Sequence, residues 1–275
     1  MKKIFLIVGF FSVGLYLLPS QAMIGPEQLI SGEFDSKEKG ETPWWDEDQS
    51  AAQQNWDEPD PLEPLNRAIF GFNRVVDGIL FKPAAIVYNE TLPDFAKTGV
   101  SNFIDNLFSP VTFANNVLQA EGKQAAHTFF RFLVNSTIGI LGLMDVAKEM
   151  GIPGEPATLN QTFAKWGIES GPYLMLPLYG PSSFRGTYGM AGDWFMNPWF
   201  YVAQNKYRRA NHHHQQRNLL YSLYGLDLIN RRAQLINALN DVEKNSLDPY
   251  AAIRSIYFQK QREMEQRVGN NSQKK

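Results

Sequence analysis

The chain is 275 residues long, 44% hydrophobic and 20% charged, with a formal net charge of −2; this is enough apolar mass for one principal domain with tails. A charge this near balance offers no field for nucleic acid, and no basic, aromatic-interleaved motif compensates for it. Cysteine is absent, which removes disulfides, thiolate metal sites and cysteine nucleophiles together.

At the N-terminus, Lys2 and Lys3 precede an apolar run from Ile4 to Leu18, Pro19 ends it, and Ser20-Gln21-Ala22 offers small residues where a signal peptidase needs them. We read 1–22 as a signal peptide cleaved after Ala22, and the chain as exported. A retained anchor is the rival reading, but this run at about 1.5 Å per residue reaches only about 22 Å, short of the ~30 Å hydrocarbon core. No later stretch suits a spanning helix: the nearest, Phe129 to Met144, contains Arg131, Asn135, Ser136 and two glycines.

Residues 23–58 hold ten acids against two bases, the composition of an acidic disordered leader. Trp44, Trp45 and Trp56 are its oddity, suited to a partner, to a bilayer interface, or to folding back on the chain's own domain. That domain is expected at 59–268, followed by a disordered tail at 269–275.

Asp60-Pro61-Leu62-Glu63 places an N-cap acid, a proline at the first helical position and a capping-box glutamate in one run. The cap-then-proline device recurs at Ser109-Pro110 and Asp248-Pro249. Period-2 alternation is weak and asparagine-glycine hairpin turns are missing, so the pattern predicts an all-α fold. The expected helices lie near 61–80, 83–89, 94–107, 110–120, 122–137, 140–149, 158–166, 183–195, 197–209, 215–241 and 249–267. Two irregular stretches interrupt them, 151–156 and 171–181. The second reads GPYLMLPLYGP, apolar yet hostile to helix.

In the first helix, Leu62, Leu65, Ile69, Phe72, Val76, Ile79 and Leu80 form an apolar face, opposite a stripe of Glu63, Asn66, Arg67, Asn73, Arg74 and Asp77. That stripe fits a solvated face about as well as a polar pore wall. In the helix from Gly122, Lys123, His127, Arg131 and Asn135 follow at i, i+4 beside Phe129, Phe130, Leu133 and Val134. Arginine there suits a phosphate or carboxylate, and equally a surface ridge paired with acids such as Glu121.

His212, His213 and His214 point about 100° apart on a helix and do not converge on one ion, so no metal site is assigned. Gly186, Gly189 and Gly192 read as a packing face, because neither a Walker lysine nor a Rossmann context accompanies them. No G-x-S-x-G elbow or H-E-x-x-H motif is present, and His127 is the one isolated histidine. Neither catalysis nor a cofactor is expected.

The ordered run Asp60-Pro-Leu-Glu-Pro-Leu-Asn66-Arg67, Phe72-Asn73-Arg74, Ser101-Asn102-Phe103-Ile-Asp-Asn106-Leu107 and Phe129-Phe130-Arg131-Phe132-Leu133-Val134-Asn135 resembles the MlaA (VacJ) family. Gly142-Leu-Met-Asp145-Val-Ala147, Trp166-Gly167, Gly171-Pro172-Tyr173-Leu174 and Leu176-Pro177-Leu178-Tyr179-Gly180-Pro181-Ser182-Ser183 extend the match over roughly 57–260.

The resemblance implies a ring of amphipathic helices in the periplasmic leaflet of the outer membrane, held beside a trimeric porin. Its channel would pass stray outer-leaflet phospholipids to a soluble periplasmic lipid carrier and an inner-membrane ABC transporter. It makes Asn66, Arg67, Asn73, Arg74, Asp77, His127, Arg131 and Asn135 channel candidates. Tyr173, Leu174, Met175, Leu176, Leu178 and Tyr179 become membrane-contact candidates.

Four features depart from the pattern. The usual lipobox cysteine is missing, so the expectation is a chain without its own acyl anchor. Phe163-Ala164 stands where Leu-Gly is common and Gly186 follows Arg185 where aspartate is usual; Ala120 replaces a common glycine. A helical periplasmic scaffold or porin-binding protein that moves no lipid is the main alternative, and a pore-forming toxin the next.

Overall fold

The computed structural model describes residues 60–204 and 210–273, and side chains there except over 202–221 and 270–273. The expected signal peptide, the acidic leader with its tryptophans, and the side chains of His212, His213 and His214 fall outside the described residues. The elements are α1 (Glu63–Val76), a π-helical turn (Asp77–Phe81), α2 (Lys82–Thr91), α3 (Asp94–Leu118), α4 (Gly122–Thr137), α5 (Val146–Glu149) and α6 (Leu159–Lys165). A hairpin of β1 (Tyr173–Leu176) and β2 (Gly180–Ser183) follows, then α7 (Phe184–Met196), α8 (Pro198–Gln204), α9 (Ala210–Gln234), α10 (Ile236–Asn245) and α11 (Pro249–Gln273). Among the described residues the fold is all-α apart from that hairpin. Among the described residues no helix is long and apolar enough to cross a membrane.

Several boundaries differ from the sequence pattern for identifiable reasons. Pro110 does not start a helix but lies inside α3, where it removes the amide that would reach the carbonyl of Asn106; next to it, Ser109 Oγ donates to the carbonyl of Asp105 at 3.1 Å. The expected 140–149 helix shrinks to α5, because Ile140 and Leu141 take φ of 54° and 58°. The long 215–241 helix breaks after Gln234 into α9 and α10, and α11 runs to Gln273 through the expected tail.

The GPYLMLPLYGP stretch is the hairpin, antiparallel with Tyr173 opposite Ser183 and Leu176 opposite Gly180. Its pairing escapes the sequence pattern because all four residues of β1 are apolar, so burial alternates where hydropathy does not. With only two strands, β1 has a free edge, and α1 supplies its partner. Asn66 donates from Nδ2 to the carbonyl of Tyr173 (3.2 Å) and accepts at Oδ1 from the amide of Met175 (2.8 Å). Two turns further along the same face, Asn73 repeats the device with Leu176 O (2.9 Å) and Leu178 N (2.7 Å), holding a turn in which Leu178 has φ 65°. Two carboxamides thus stand in for a third strand.

Tyr173, Met175, Tyr250 and Tyr257 form the main apolar core where the hairpin meets α11, with Ile69 and Phe70 of α1 packed against it. A second cluster joins Ala85 and Tyr88 of α2 to Ala233 of α9. The glycine face of α7 packs on α6: a Cβ at Gly189 would lie 2.5 Å from the Asn160 amide, and one at Gly192 2.2 Å from Leu159. Where α3, α6 and α7 meet, Asn115 donates to Asp193 at 2.7 Å, the Leu159 amide donates to both its oxygens at 3.1 Å, and Thr162 donates to Asn115 at 2.9 Å.

No cation joins Asp193 in these bonds, and burial pushes its carboxyl up to about 7, against the pull of Asn115 and Leu159. The folded value stands above the unfolded 3.8, so this group's contribution is complete below about pH 4 and is lost as pH rises through 7. Asp193→Asn is therefore expected to gain stability relative to the parent as pH is raised from 5 to 8. Detergent-solubilised protein unfolded by denaturant at several pH values gives the comparison, and a pH-independent difference would contradict the assignment.

The C-terminus of α3 explains one departure noted above. Ala120 N bonds Val117 O and Glu121 N bonds Asn116 O, both at 2.9 Å, the pairing that closes a helix through a left-handed residue. Ala120 occupies that position at φ 56°, where a Cβ costs roughly 1–2 kcal/mol, offset in part by glycine's greater freedom when unfolded. Ala120→Gly should raise stability by about 0.5–1 kcal/mol, read as a higher thermal midpoint.

Candidate functional site

α1, the π-turn, the hairpin and α9 to α11 enclose a cavity of about 310 Å³. Phe70, Met175, Leu178, Leu228, Leu239, Ile253 and Ile256 make its wall mostly apolar, while Asn73, Arg74, Asp77, Arg231, Arg232 and Glu243 give it a charged side. Paired carboxylates hold the arginines in place. Asp77 takes Arg232 at both oxygens, 2.6 and 2.9 Å; Arg74 Nε reaches Glu243 at 3.1 Å, with Lys82 on its other oxygen at 3.8 Å; and Arg231 Nε bonds Asp227 at 2.8 Å. Burial raises the carboxyl of Asp227 from its ordinary range, opposed by Arg231 beside it. The phenol of Tyr179, another lining residue, is raised chiefly by burial, with Arg231 opposing.

Of the sequence candidates, Asn73, Arg74, Asp77, Met175, Leu178 and Tyr179 meet here. Met175 and Tyr173 are corrected from membrane-contact residues to core, at 2% and 1% exposure, because they sit on the inward face of β1. Leu174 and Leu176 alternate with them and are half-buried. Asn66 is fully buried in its clasp and does not line the cavity. Arg67 lies outside it too, bridging Glu63 (2.7 Å) and Asp248 (2.6 Å) over the Tyr250 ring. The hydrogen bond from Arg67, more than any other cause, holds Asp248 below the usual carboxylate range.

His127, Arg131 and Asn135 belong to a different region. Arg131 donates to Ile152 O and to Asp145, each at 2.7 Å, and Asn135 donates to Asp145 at 2.9 Å while accepting from the Ala147 amide at 2.9 Å. Of the phosphate and carboxylate partners expected for Arg131, the structure shows the carboxylate of Asp145, in an internal clamp that an outside anion would have to compete with. From His127 to Asn135 the polar stripe of α4 faces protein, while Lys123 at its start is exposed, and its apolar residues face out: Phe129, Phe130 and Leu133 are exposed, continued by Ile138, Ile140, Leu141 and Met144. That is the reverse of a helix on a water-facing surface.

Arg231 and Arg232 escaped the sequence reading. Their signal was the Asp227-to-Arg231 spacing of four at the basic end of a long helix, a pattern shared by many solvated helices.

The MlaA lipoprotein family model matches residues 58–264. An uncharacterized protein of Rickettsia felis is 36% identical over 197 residues, covering 71% of this chain and 74% of its own length. The intermembrane phospholipid transport system lipoprotein MlaA of Escherichia coli (strain K12) is 32% identical over 206 residues, 73% of this chain and 76% of that one. A solved chain from work on the structural basis for maintenance of bacterial outer membrane lipid asymmetry aligns with a TM-score of 0.61 at 29% identity, covering 76% of this chain and all of that one.

Proposed function

This chain belongs to the MlaA lipoprotein family, and from that premise we propose that it takes part in intermembrane phospholipid transport, removing mislocalised phospholipid from the outer leaflet of the outer membrane. In this reading the chain is no enzyme: it sits in the periplasmic leaflet beside a trimeric porin and passes lipid to a soluble periplasmic carrier. The observation that carries the reading is the cavity, whose apolar wall and charged side suit a molecule with acyl chains and an ionic head. Its volume of about 310 Å³ admits a head group and the first methylenes, so the rest of the chains would trail beyond it. The outward apolar face of α4 supports membrane residence, since single-leaflet burial needs apolar side chains outside and polar ones within.

The experiment is a deletion strain complemented with this chain. Outer-leaflet phosphatidylethanolamine, labelled by an amine-reactive reagent that does not cross the membrane, should rise on deletion and return to the parental level on complementation. An unchanged leaflet composition would refute the proposal. A scaffold without transport would bind porin yet leave the lipid readout flat.

A further inference from the structure

Two residues that line the cavity each carry a buried hydrogen-bond donor without a partner. Among the described residues, the buried side-chain atoms that lack a partner include Arg232 Nη1 and the Tyr179 hydroxyl, and both residues line the cavity. Asp77 occupies Nε and Nη2 of Arg232, which fixes the guanidinium plane and leaves Nη1 as its unused edge. A guanidinium nitrogen only donates, so the partner that Nη1 lacks is an acceptor. A buried donor left unmet is costly, and a bound group that supplies the bond is one way a fold retains it. Asp77 leads the π-helical turn, a local distortion that often marks a functional site.

We propose that Arg232 and Tyr179 form an anion subsite that takes phosphate oxygens of a phospholipid head group, with Asp77 as the residue that positions Arg232. The neighbouring apolar wall of Leu228, Leu239 and Ile256 receives the start of the acyl chains. This subsite rests on the lipid-transport reading above. It adds to that reading a specific recognition element: the phosphodiester is held at a fixed point in the cavity, and the variable part of the head group is left unread. Phosphatidylethanolamine and phosphatidylglycerol should therefore be accepted alike.

The test uses the full chain, purified in non-ionic detergent, stripped of lipid, and then incubated in mixed micelles with one lipid at a time. The lipids are phosphatidylethanolamine, phosphatidylglycerol, diacylglycerol and free fatty acid, all with the same acyl chains; a further arm contains inorganic phosphate alone. Retained ligand is read by native mass spectrometry. Both phosphodiester lipids should be retained, and diacylglycerol about tenfold less, the size of effect expected for one charge-assisted hydrogen bond.

Arg232→Gln should lower phospholipid retention by a similar factor. Because that change also strips Asp77 of its partner, Tyr179→Phe serves as the second variant. It removes only the unmet hydroxyl, so it should leave the lipid-free thermal midpoint the same or higher while lowering phospholipid retention severalfold. Equal retention of diacylglycerol, or parental retention by a folded Tyr179→Phe protein and by Arg232→Gln, would overturn the subsite while leaving the transport reading intact. Arg232-dependent binding of fatty acid or inorganic phosphate without phospholipid would also overturn it. A parent protein that retains no lipid of any kind would instead count against the transport reading itself.

Discussion

Asn66→Ala is expected to lower stability by about 3 kcal/mol, because it leaves the carbonyl of Tyr173 and the amide of Met175 buried without partners, at roughly 1–3 kcal/mol each. The residue is fully buried, so water is not at hand to replace the lost bonds. Its second acceptor, Asp60 at 2.9 Å, also loses a donor. Asn66→Asp separates the two halves of the clasp: it keeps an acceptor for Met175 N but turns repulsive toward Tyr173 O and Asp60, and should be no more stable than the alanine variant. Unfolding in detergent gives the energies. Limited proteolysis gives the location, with new cleavage expected in the turn at Pro177 to Tyr179 once β1 loses its edge partner. Since that hairpin supplies Met175, Leu178 and Tyr179 to the cavity, the clasp links helix α1 to the shape of the site. A variant with parental stability and an uncut turn would show that β1 does not depend on the clasp.

The same pair of asparagines shows what was legible in the sequence. Their place on one polar stripe of an amphipathic helix could be read from spacing, but the helix start was read early, at 61: α1 begins at Glu63 with Leu62 as its cap residue and no side-chain cap bond, in place of an Asp60 cap with Glu63 closing a capping box. What they bind could not be read, because Tyr173 and Leu176 lie more than a hundred residues away in sequence. Helix α4 was delimited at both ends by its pattern, Gly122 to Thr137. Yet hydropathy marks two faces of a helix without saying which one meets protein, and here the phenylalanine face is the exposed one. The cavity was half legible: Asn73, Arg74 and Asp77 came from a local stripe, whereas Arg231, Arg232 and the α11 wall are joined to it only by tertiary packing.

Arg131→Ala is expected to cost about 2–3 kcal/mol, below the 3–5 kcal/mol of a fully buried ion pair because both partners keep about a fifth of their side-chain surface, 20% and 19%. A solvated ridge would lose no more than about 0.5 kcal/mol, so the magnitude alone separates the two readings. The loss has two parts: the carbonyl of Ile152 gives up its donor, and Asp145 gives up its cation while keeping Asn135. Burial draws the Asp145 carboxyl upward, but the bonds from Asn135 and Arg131 outweigh it and hold the group below its ordinary 3.8. A depressed folded value stabilises above the unfolded one and is lost as pH falls through it, so the Arg131→Ala deficit should be full at pH 7 and shrink below about pH 4. Arg131→Lys restores the charge but cannot serve both Asp145 and Ile152 with the same planar fork, and should recover only part of the loss. Denaturant unfolding of the three proteins at pH 7 and pH 3.5 provides the measurement. A deficit that is unchanged at low pH would detach Arg131 from Asp145 and leave its bond to Ile152 as the whole of its contribution.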